Sequence, residues 1–256
     1  VNIFELSKMV GTVLQDSDGQ FIGLTVGEDI AFSLENDCVE EKEMKETVQK
    51  VADMVDMGQL LKSSPFELSG GQKQRVAFAG VMVDDVDVLL FDEPLANLDP
   101  ATGKTAIDLI DRIQKQSQKT VVIIEHRLED VLYRHVDRIV VVAEGRIVAD
   151  MTPDELMATQ QLSELGIREP LYVTAMKYAG ISITPQMRAG QLQTLVIDDE
   201  IRRKIQAWCE KPVPTGRPAG EEILAVKHLS FQYTKSLKIL KDVNFSIKSG
   251  EMVSIV

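Results

Sequence analysis

The sequence predicts an α/β fold with a parallel sheet, because apolar segments of strand length alternate with helical segments. Val86–Phe91 is an apolar run of the length expected for a buried parallel strand. A helix is predicted over 100–116, where Pro100 stands in the first turn and its missing N–H costs nothing. Thr120–Ile124 is predicted to be a second buried strand. From Ile223 onwards the residues alternate as in an antiparallel sheet, which predicts a separate β-rich unit.

The residues before the first of these strands predict one short strand and then a small helical subdomain. Its predicted elements are a β run over 9–15 that ends in Gln15, an amphipathic helix from about Val26, a charged helix over 40–62 with apolar residues at helical spacing, and a helix over Gln72–Val83. Pro65 ends the charged helix, and the LSGGQ turn follows before the last of these helices. The basic residues at the start of that helix serve a nearby phosphate or carboxylate, or they lie on a plain surface.

The residues after the second strand predict a hairpin, further helices and a linker. The predicted elements are a helix over Leu128–Tyr133, a hairpin of Asp137–Val142 and Arg146–Asp150 with its turn at Glu144–Gly145, and a short capped helix over Thr152–Leu162. The pattern is then weakly helical as far as Trp208. The stretch KPVPTGRPAG, residues 211–220, holds three of the nine prolines and is therefore predicted to be an exposed linker.

Composition excludes several classes of protein. A formal net charge of −12 argues against nonspecific binding to nucleic acid or to an anionic membrane. The only two cysteines, Cys38 and Cys209, are far apart and do not have the spacing of metal ligands, which makes a disulfide framework or a zinc site a poor interpretation. The sequence contains no stretch of roughly 18 consecutive apolar residues such as a membrane-spanning helix needs. Any membrane role is therefore expected to come through a partner.

The stretch Leu68–Asp99 carries the chemistry. Gly70 and Gly71 allow close approach of the backbone to a ligand, and Ser69 can cap the following helix, whose positive end favours a phosphate. An apolar strand follows and ends in two adjacent carboxylates, Asp92 and Glu93. That position suits a pair of groups that holds Mg²⁺ and a water molecule. Gln15, at another exit from a strand, could add an amide oxygen as a ligand of Mg²⁺ or orient the water.

Five groups of residues together resemble the ATP-binding cassette (ABC) ATPases. LSGGQKQR resembles their signature motif, VLLFDEP their Walker B strand, ANLD their D-loop, EH their switch histidine and Gln15 their Q-loop glutamine. The resemblance implies a P-loop NTPase core with a parallel sheet, a helical subdomain and an antiparallel β subdomain. ATP and Mg²⁺ are the implied cofactors.

The same resemblance implies a role for each matched residue. Asp92 would hold Mg²⁺ through water, Glu93 would be the general base, and His126 would contact the γ-phosphate or position the attacking water. Asp99 would couple two sites across a dimer interface. Ser69, Gly70, Gly71 and Gln72 would bind the γ-phosphate of a nucleotide held by the opposite cassette.

The sequence departs from the family pattern because no G-x-x-x-x-G-K-[ST] phosphate loop occurs in it. In the second unit, Tyr233 resembles the aromatic residue that stacks on adenine, and SGEMVSIV resembles the strand that leads into such a loop. We therefore expect an internal part of a longer protein that does not bind ATP tightly or hydrolyse it by itself. The expected domains are a first cassette over 1–155 with its helical subdomain at about 16–83, a connector with linker over 156–220, and the β part of a second cassette over 221–256.

Three further stretches narrow the resemblance to the ATPases of energy-coupling factor (ECF) importers. They are DSDGQ with its second glutamine, Gln20, the helix TVGEDIAFSLEN and the stretch EHRLEDVL. The implied partners are an ECF transmembrane subunit, a substrate-binding membrane subunit and a second ABC cassette in the same chain or another copy. The implied location is the cytoplasmic face of the membrane, and the implied cargo is a vitamin, such as a thiamine precursor, or a metal ion. The alternatives are a soluble twin-cassette ATPase that acts on ribosomes or DNA, and a degenerate regulatory cassette.

Overall fold

A computed structural model describes residues 2–84, 86–96, 98–212, 220–234 and 237–254. The chain divides into two compact units, Val1–Cys209 and Glu210–Val256. None of the helices within the described ranges has both the length and the apolar character needed to span a bilayer.

The first unit is built on a three-stranded parallel sheet. Its strands, β1 (Val10–Val13), β2 (Val88–Asp92) and β3 (Thr120–Ile124), lie in the order β1-β2-β3. The register pairs Val10–Val13 with Val88–Phe91 and aligns Asp92 with Ile124. The predicted parallel sheet is therefore confirmed. Because parallel strands end at the same edge, the residues that follow all three strands come close together.

The two faces of this sheet are buried to different extents. Leu89 and Phe91 of β2 are fully buried, and their register neighbours Val121 and Ile123 pack against the same core. The side chains that alternate with these point the other way, so Val122 is 43% exposed and Ile124 is 51% exposed. The prediction that β3 is a buried strand is therefore wrong for one of its faces. Within the described residues, β3 is one of the two edge strands, and only one face of the sheet is covered by the main core.

The helical subdomain consists of α2 (Val26–Asn36), α3 (Glu41–Met54) and α4 (Gly70–Met82); a short helix, α1 (Ile3–Ser7), precedes β1. α2 begins where predicted, because Thr25 and Glu28 form a reciprocal capping box. α3 is shorter than predicted. Asp56 adopts a φ of +60°, and the N–H of Met57 donates to the carbonyl of Ala52, as in a Schellman ending. This ending carries no glycine, so the sequence did not reveal it.

The main core joins the helical subdomain to the sheet. Phe78 of α4 and Phe91 of β2 are both fully buried. Their rings meet edge to face, with a centroid separation of 5.0 Å and an interplanar angle of 73°. This contact holds α4, the helix that begins within the LSGGQ motif (the signature helix), against the strand that carries Asp92.

The rest of the first unit follows β2 in the chain. Its elements are α5 (Pro100–Ser117), α6 (Leu128–Val131), β4 (Ile139–Ala143), β5 (Arg146–Met151), α7 (Pro153–Met157), α8 (Gln161–Glu164), α9 (Leu171–Tyr178) and α10 (Asp199–Cys209). β4 and β5 form the predicted antiparallel hairpin. A second hydrophobic core includes Val141, Leu156, Val173 and Met176.

The single helix predicted over Thr152–Leu162 is two short helices instead. Its start is as expected, because Thr152 and Glu155 form a capping box. The break follows α7, where the hydroxyl of Thr159 donates to the carbonyl of Leu156. Lys177 of α9 then donates to the carbonyl of Thr159 at 3.0 Å, so a distant side chain occupies a group that a continuous helix would have used.

The second unit contains the antiparallel pair β6 (Glu222–Thr234) and β7 (Leu237–Lys248), which confirms the prediction of a β-rich unit. The terminal strand predicted in SGEMVSIV is not formed over 251–254, the part of it that the structure describes, where no neighbouring strand pairs with it. The described residues of the linker 211–220 are 211, 212 and 220. Tyr233 lies in β6, and its side chain is outside the described part of the structure.

Candidate nucleotide site

Gln15, Glu93 and His126 meet at the carboxyl edge of the parallel sheet. Nε2 of Gln15 donates to Oε2 of Glu93 at 3.0 Å. On the other carboxylate oxygen, Nδ1 of His126 lies 3.6 Å from Oε1 of Glu93. These residues are separated by 78 and 33 positions in the chain, so their contact results from the strand order. Glu93 is the centre of the group, because each of its carboxylate oxygens lies next to one of the other two residues.

The backbone of Glu93 has an unusual conformation for a residue with a side chain. Its φ is +45°, in the left-handed region that glycine favours, and its N–H donates to the carbonyl of Ile124 at 2.9 Å. Such a conformation costs on the order of 1 kcal/mol and is common at functional sites. Here it turns the chain sharply at the end of β2, and the carboxylate lines the cavity next to Gln15.

This first cavity has a volume of about 190 Å³. It is lined by the ends of β1 and β2 and by the first turns of α4, including Gln15, Gly70, Lys73 and Glu93. A carboxylate with an amide on one oxygen and an imidazole near the other can accept a proton from a water molecule placed between them. The arrangement therefore has the chemistry needed to activate water.

Asp92 ends β2 and is half-buried. Carboxylate and amide oxygens are ligands that Mg²⁺ prefers, and Mg²⁺ usually keeps water and substrate phosphates as its other ligands. Nε2 of Gln15 donates to Glu93, and its amide oxygen is the atom that can act as a ligand. The donor set of Asp92 and Gln15 therefore fits the ion, although the described residues contain no cluster of three or more metal-binding side chains.

Ser69 and Gln72 form the start of the signature helix. The hydroxyl of Ser69 accepts from the N–H of Gln72 at 3.4 Å, and Oε1 of Gln72 accepts from the N–H of Ser69 at 2.9 Å. The predicted cap at Ser69 is confirmed, but α4 begins at Gly70, two residues before its predicted start. Gly70 and Gly71 are thus the first helical turn, where unpaired N–H groups and the helix dipole favour an anion.

The signature residues line a second, larger cavity of about 510 Å³. Ser69, Gly70, Gly71 and Gln72 line it together with Asp99. Among the residues that the structure describes, Gly70 and Leu98 alone line both cavities. The structure therefore places Glu93 and the signature turn in adjacent but different cavities.

Asp99 caps α5. Its carboxylate accepts from the N–H groups of Ala101 at 3.0 Å and Thr102 at 3.1 Å, and from the hydroxyl of Thr102 at 2.5 Å. These hydrogen bonds, the Thr102 hydroxyl first, hold the pKa of Asp99 below its usual value. Because the pKa of Asp99 is lower in the folded state, the cap stabilises the fold at pH values above the usual pKa of 3.8. This stabilisation is lost as the pH falls through the lowered pKa.

Gly71 and Thr102 bring the signature turn against the start of α5. A Cβ atom added at Gly71 would lie 2.8 Å from Cγ2 of Thr102, whereas a Cβ at Gly70 would have no neighbour within 4 Å among the described residues. The need for glycine at position 71 therefore comes from packing within this chain, while Gly70 faces open space. The sequence alone predicts that both glycines allow the close approach of a ligand.

We predict that Gly71→Ala destabilises α4, whereas Gly70→Ala does not. Both changes gain helix propensity, so the difference between them reports the clash, expected to be about 1–3 kcal/mol. Adding Thr102→Ser should restore stability, because serine keeps the hydroxyl that binds Asp99 and removes the methyl group. Hydrogen exchange of peptides that span α4 measures the effect. Equal protection in the two single variants would contradict the packing role.

The partners of three further side chains, Gln74, Gln20 and Arg75, are visible only in the structure. Gln74, a buried side chain in α4, donates to the carbonyl of Pro94 just after Glu93. Oε1 of Gln20 accepts from the N–H of Leu14 at 3.1 Å and so holds the loop that follows β1. Arg75 pairs with Asp56 at 3.0 Å, so the carboxylate alternative for the basic residues at the start of this helix is correct for Arg75. Gln74 could have been singled out from the sequence because it lies within LSGGQKQR. The partner of Arg75 lies 19 residues earlier in the chain, so no local pattern indicates that ion pair.

Comparison with known proteins identifies the family. The model of the ABC transporter family matches residues 2–96, and that of an "ATP-binding cassette cobalt transporter" matches 159–231. Proteins from Clostridium perfringens, Enterococcus faecalis and Photobacterium profundum, each an ABC transporter ATP-binding protein by name, are 54%, 53% and 52% identical to this chain. All of the chain is aligned in each case, but it spans only 45% of the length of these relatives.

A solved structure agrees with the match. The structure of cbiO1 from Clostridium perfringens, described as part of the ABC transporter complex cbiONQ, has a TM-score of 0.59 and 31% sequence identity. The similarity covers 68% of this chain and 70% of that one. The fold is therefore that of an ABC ATPase, with its parallel sheet, helical subdomain and antiparallel strands. The chain belongs to the family of ABC transporter ATP-binding proteins.

Proposed function

We propose that this chain forms part of the ATP-hydrolysing subunit of an ECF-type importer. The observation that carries this proposal is the contact of Glu93 with Gln15 on one oxygen and its approach to His126 on the other. A general base that acts on water needs a fixed orientation and neighbours that hold the water in line with the phosphate. Glu93 is the proposed base, His126 positions the water or contacts the γ-phosphate, and Gln15 orients the carboxylate.

Magnesium would be held by Asp92, through water, and by the amide oxygen of Gln15. When bound, it supplies positive charge that offsets the charge of the nucleotide phosphates. The residues of this chain then orient Glu93, shield it in the smaller cavity and accept the proton from the water.

The signature residues are proposed to serve a different nucleotide from Glu93. Ser69, Gly70, Gly71 and Gln72 line the larger cavity and not, apart from Gly70, the cavity of Glu93. The first turn of α4 would bind the γ-phosphate of an ATP held by a second cassette, and Asp99 would couple the two sites. Tyr233 of β6 is proposed to stack on adenine in the second cassette.

The proposed domains are consistent with two cassettes that share their nucleotides. A first cassette over 1–155, with its helical subdomain at 16–83, contains Gln15, the signature turn, Glu93 and His126. A connector over 156–220 overlaps the region that matches a cobalt transporter family, and 221–256 would be the β part of a second cassette. Relatives more than twice the length of this chain leave room for both cassettes in one protein.

The proposed partners are an ECF transmembrane subunit and a substrate-binding membrane subunit at the cytoplasmic face of the membrane. The region of the helical subdomain carries exposed apolar side chains that the first of these could cover, since Ile22, Leu24 and Phe66 are 63%, 81% and 72% exposed. A metal ion is the better supported cargo, since the family matched by 159–231 is described as a cobalt transporter. A vitamin such as a thiamine precursor is the other candidate.

The proposal is tested by replacing His126 in the complete protein assembled with its membrane subunits. His126→Ala is expected to lower ATP turnover by at least about tenfold, a modest effect for a group that positions water or phosphate. His135→Ala is the matched control, because His135 is also exposed and lies 3.2 Å from a carboxylate, that of Asp137. Uptake of labelled Co²⁺ and of a labelled thiamine precursor into proteoliposomes decides the cargo. Equal turnover in both variants would contradict the assignment of His126.

A further inference from the structure

The turn Glu125–Arg127, directly after β3, is held by a side chain to which the proposed function gives no role. The side chain of Glu125 is only 2% exposed. Its Oε1 accepts from the N–H of His126 at 3.0 Å and from the N–H of Arg127 at 3.1 Å. A buried carboxylate that accepts two backbone N–H groups fixes the backbone of the turn, since charge-assisted hydrogen bonds are stronger than neutral ones.

Arg127 holds the same turn from the other side. Its Nη2 donates to the carbonyl of Leu95 at 2.5 Å. Leu95 is fully buried and belongs to the loop that runs from Glu93 to Asp99. The guanidinium therefore connects the turn of His126 to the loop that leads to Asp99, and Gln74 holds the preceding carbonyl, that of Pro94.

The side chain of His126 has little packing of its own. It is 70% exposed, and its Nδ1 lies 3.6 Å from Glu93 and 3.8 Å from Oε1 of Glu125. These two long contacts are its ion-pair neighbours, and they orient an exposed side chain weakly, so the place of the imidazole beside Glu93 depends on the backbone that carries it.

We propose that Glu125 and Arg127 are positioning residues, which hold His126 beside Glu93 and tie its turn to the loop that leads to Asp99. The proposal rests on the proposed function for its effect on turnover, but not for its effect on the position of His126. Glu125 acts through two backbone N–H groups, and Arg127 acts through the carbonyl of Leu95 while its Nε lies 3.4 Å from the carboxylate of Asp130.

The two carboxylate oxygens of Glu125 have different contacts, so one substitution can keep the hydrogen bonds to the turn while another removes them. Oε2 is buried and has no hydrogen-bond partner among the described residues. Only Oε1 holds the turn, and the amide oxygen of a glutamine can accept the same two N–H groups. Glu125→Gln should therefore keep the turn, whereas Glu125→Ala removes it.

The test measures ATP turnover of the complete protein with its membrane subunits. Glu125→Ala and Arg127→Met are expected to lower kcat by about tenfold or more, because small displacements of a catalytic group reduce the rate strongly. KM for ATP should change less than about twofold, since neither residue is proposed to bind the nucleotide. Glu125→Gln should recover most of the loss. Glu164→Ala and Arg138→Met, at exposed positions remote from the turn in sequence, are the controls.

The imidazole resonances of selectively labelled histidine give a second readout that does not need turnover. The signal of His126, assigned with His126→Gln, should move in Glu125→Ala and in Arg127→Met, and should stay close to the wild-type position in Glu125→Gln. If the wild-type protein hydrolyses no ATP, the proposed function fails and this signal alone decides the positioning role. If it does hydrolyse ATP, the proposal requires that Glu125→Ala and Arg127→Met change both kcat and the His126 resonance. A change in only one of these two measurements overturns it. Should Glu125→Ala not fold, Arg127→Met and Glu125→Gln still decide.

Discussion

Replacing Glu93 with glutamine in the complete protein is expected to lower ATP turnover by about 10²–10⁴-fold, the usual contribution of a general base. Glutamine has nearly the same shape as glutamate, but its neutral amide cannot accept the proton of the attacking water. Because Glu93 reaches Gln15 and His126 with separate oxygens, the variant keeps a side chain of the right size between them. ATP binding and the closure of two cassettes on ATP should therefore persist while turnover stops.

The measurement is steady-state phosphate release, alongside equilibrium binding of ATP to the same preparation. Glu144→Gln is a matched control, since Glu144 also has a positive φ, +49°, and lies in the hairpin turn between β4 and β5. It should leave turnover unchanged. Unaltered turnover in Glu93→Gln, at a site shown to use this cassette, would disprove the assignment of Glu93 as the base.

The largest effect on stability is expected for Phe78→Ala, at about 3–5 kcal/mol. The ring of Phe78 is fully buried and meets Phe91 edge to face, so truncation leaves a cavity between α4 and β2. These two elements carry the signature residues and Asp92. We therefore expect a loss of stability together with a loss of order at both cavities.

Urea unfolding followed by circular dichroism measures the change in free energy, and hydrogen exchange of β2 peptides locates it. Phe66→Ala is the control, because Phe66 is 72% exposed and its removal should cost little stability. A loss in Phe78→Ala no larger than that in Phe66→Ala would show that the contact between α4 and β2 does not hold the core together.

The contact of Gln15 with Glu93 could be anticipated from the sequence because of a property of parallel sheets. Each residue follows a strand, and parallel strands end at one edge whatever the distance along the chain. The cap at Ser69, the start of α2 and the hairpin of β4 and β5 are local patterns, so they too were readable. The amino acids near each other in the chain carry enough information for these features.

Elsewhere, contacts distant in sequence override the local pattern. α3 ends at Met54 although apolar spacing continues beyond it, because Asp56 turns into a left-handed conformation and pairs with Arg75. The helix predicted from Thr152 is interrupted where Lys177 takes a carbonyl of its backbone. In both places a partner from a different element decides where the helix stops.

The sequence by itself predicted the fold family and placed Gln15, Glu93 and His126 at the ends of strands, since these features depend on motif spacing and on local apolar runs. Only the tertiary structure decided that Gly71 is required by the methyl group of Thr102 and that Glu125 and Arg127 hold the turn of His126. It also showed that Ser69, Gly71 and Gln72 line a cavity that Glu93 does not line. The physical reason is that close packing and hydrogen bonds between distant residues depend on distances in space, and no periodicity in the sequence records those distances.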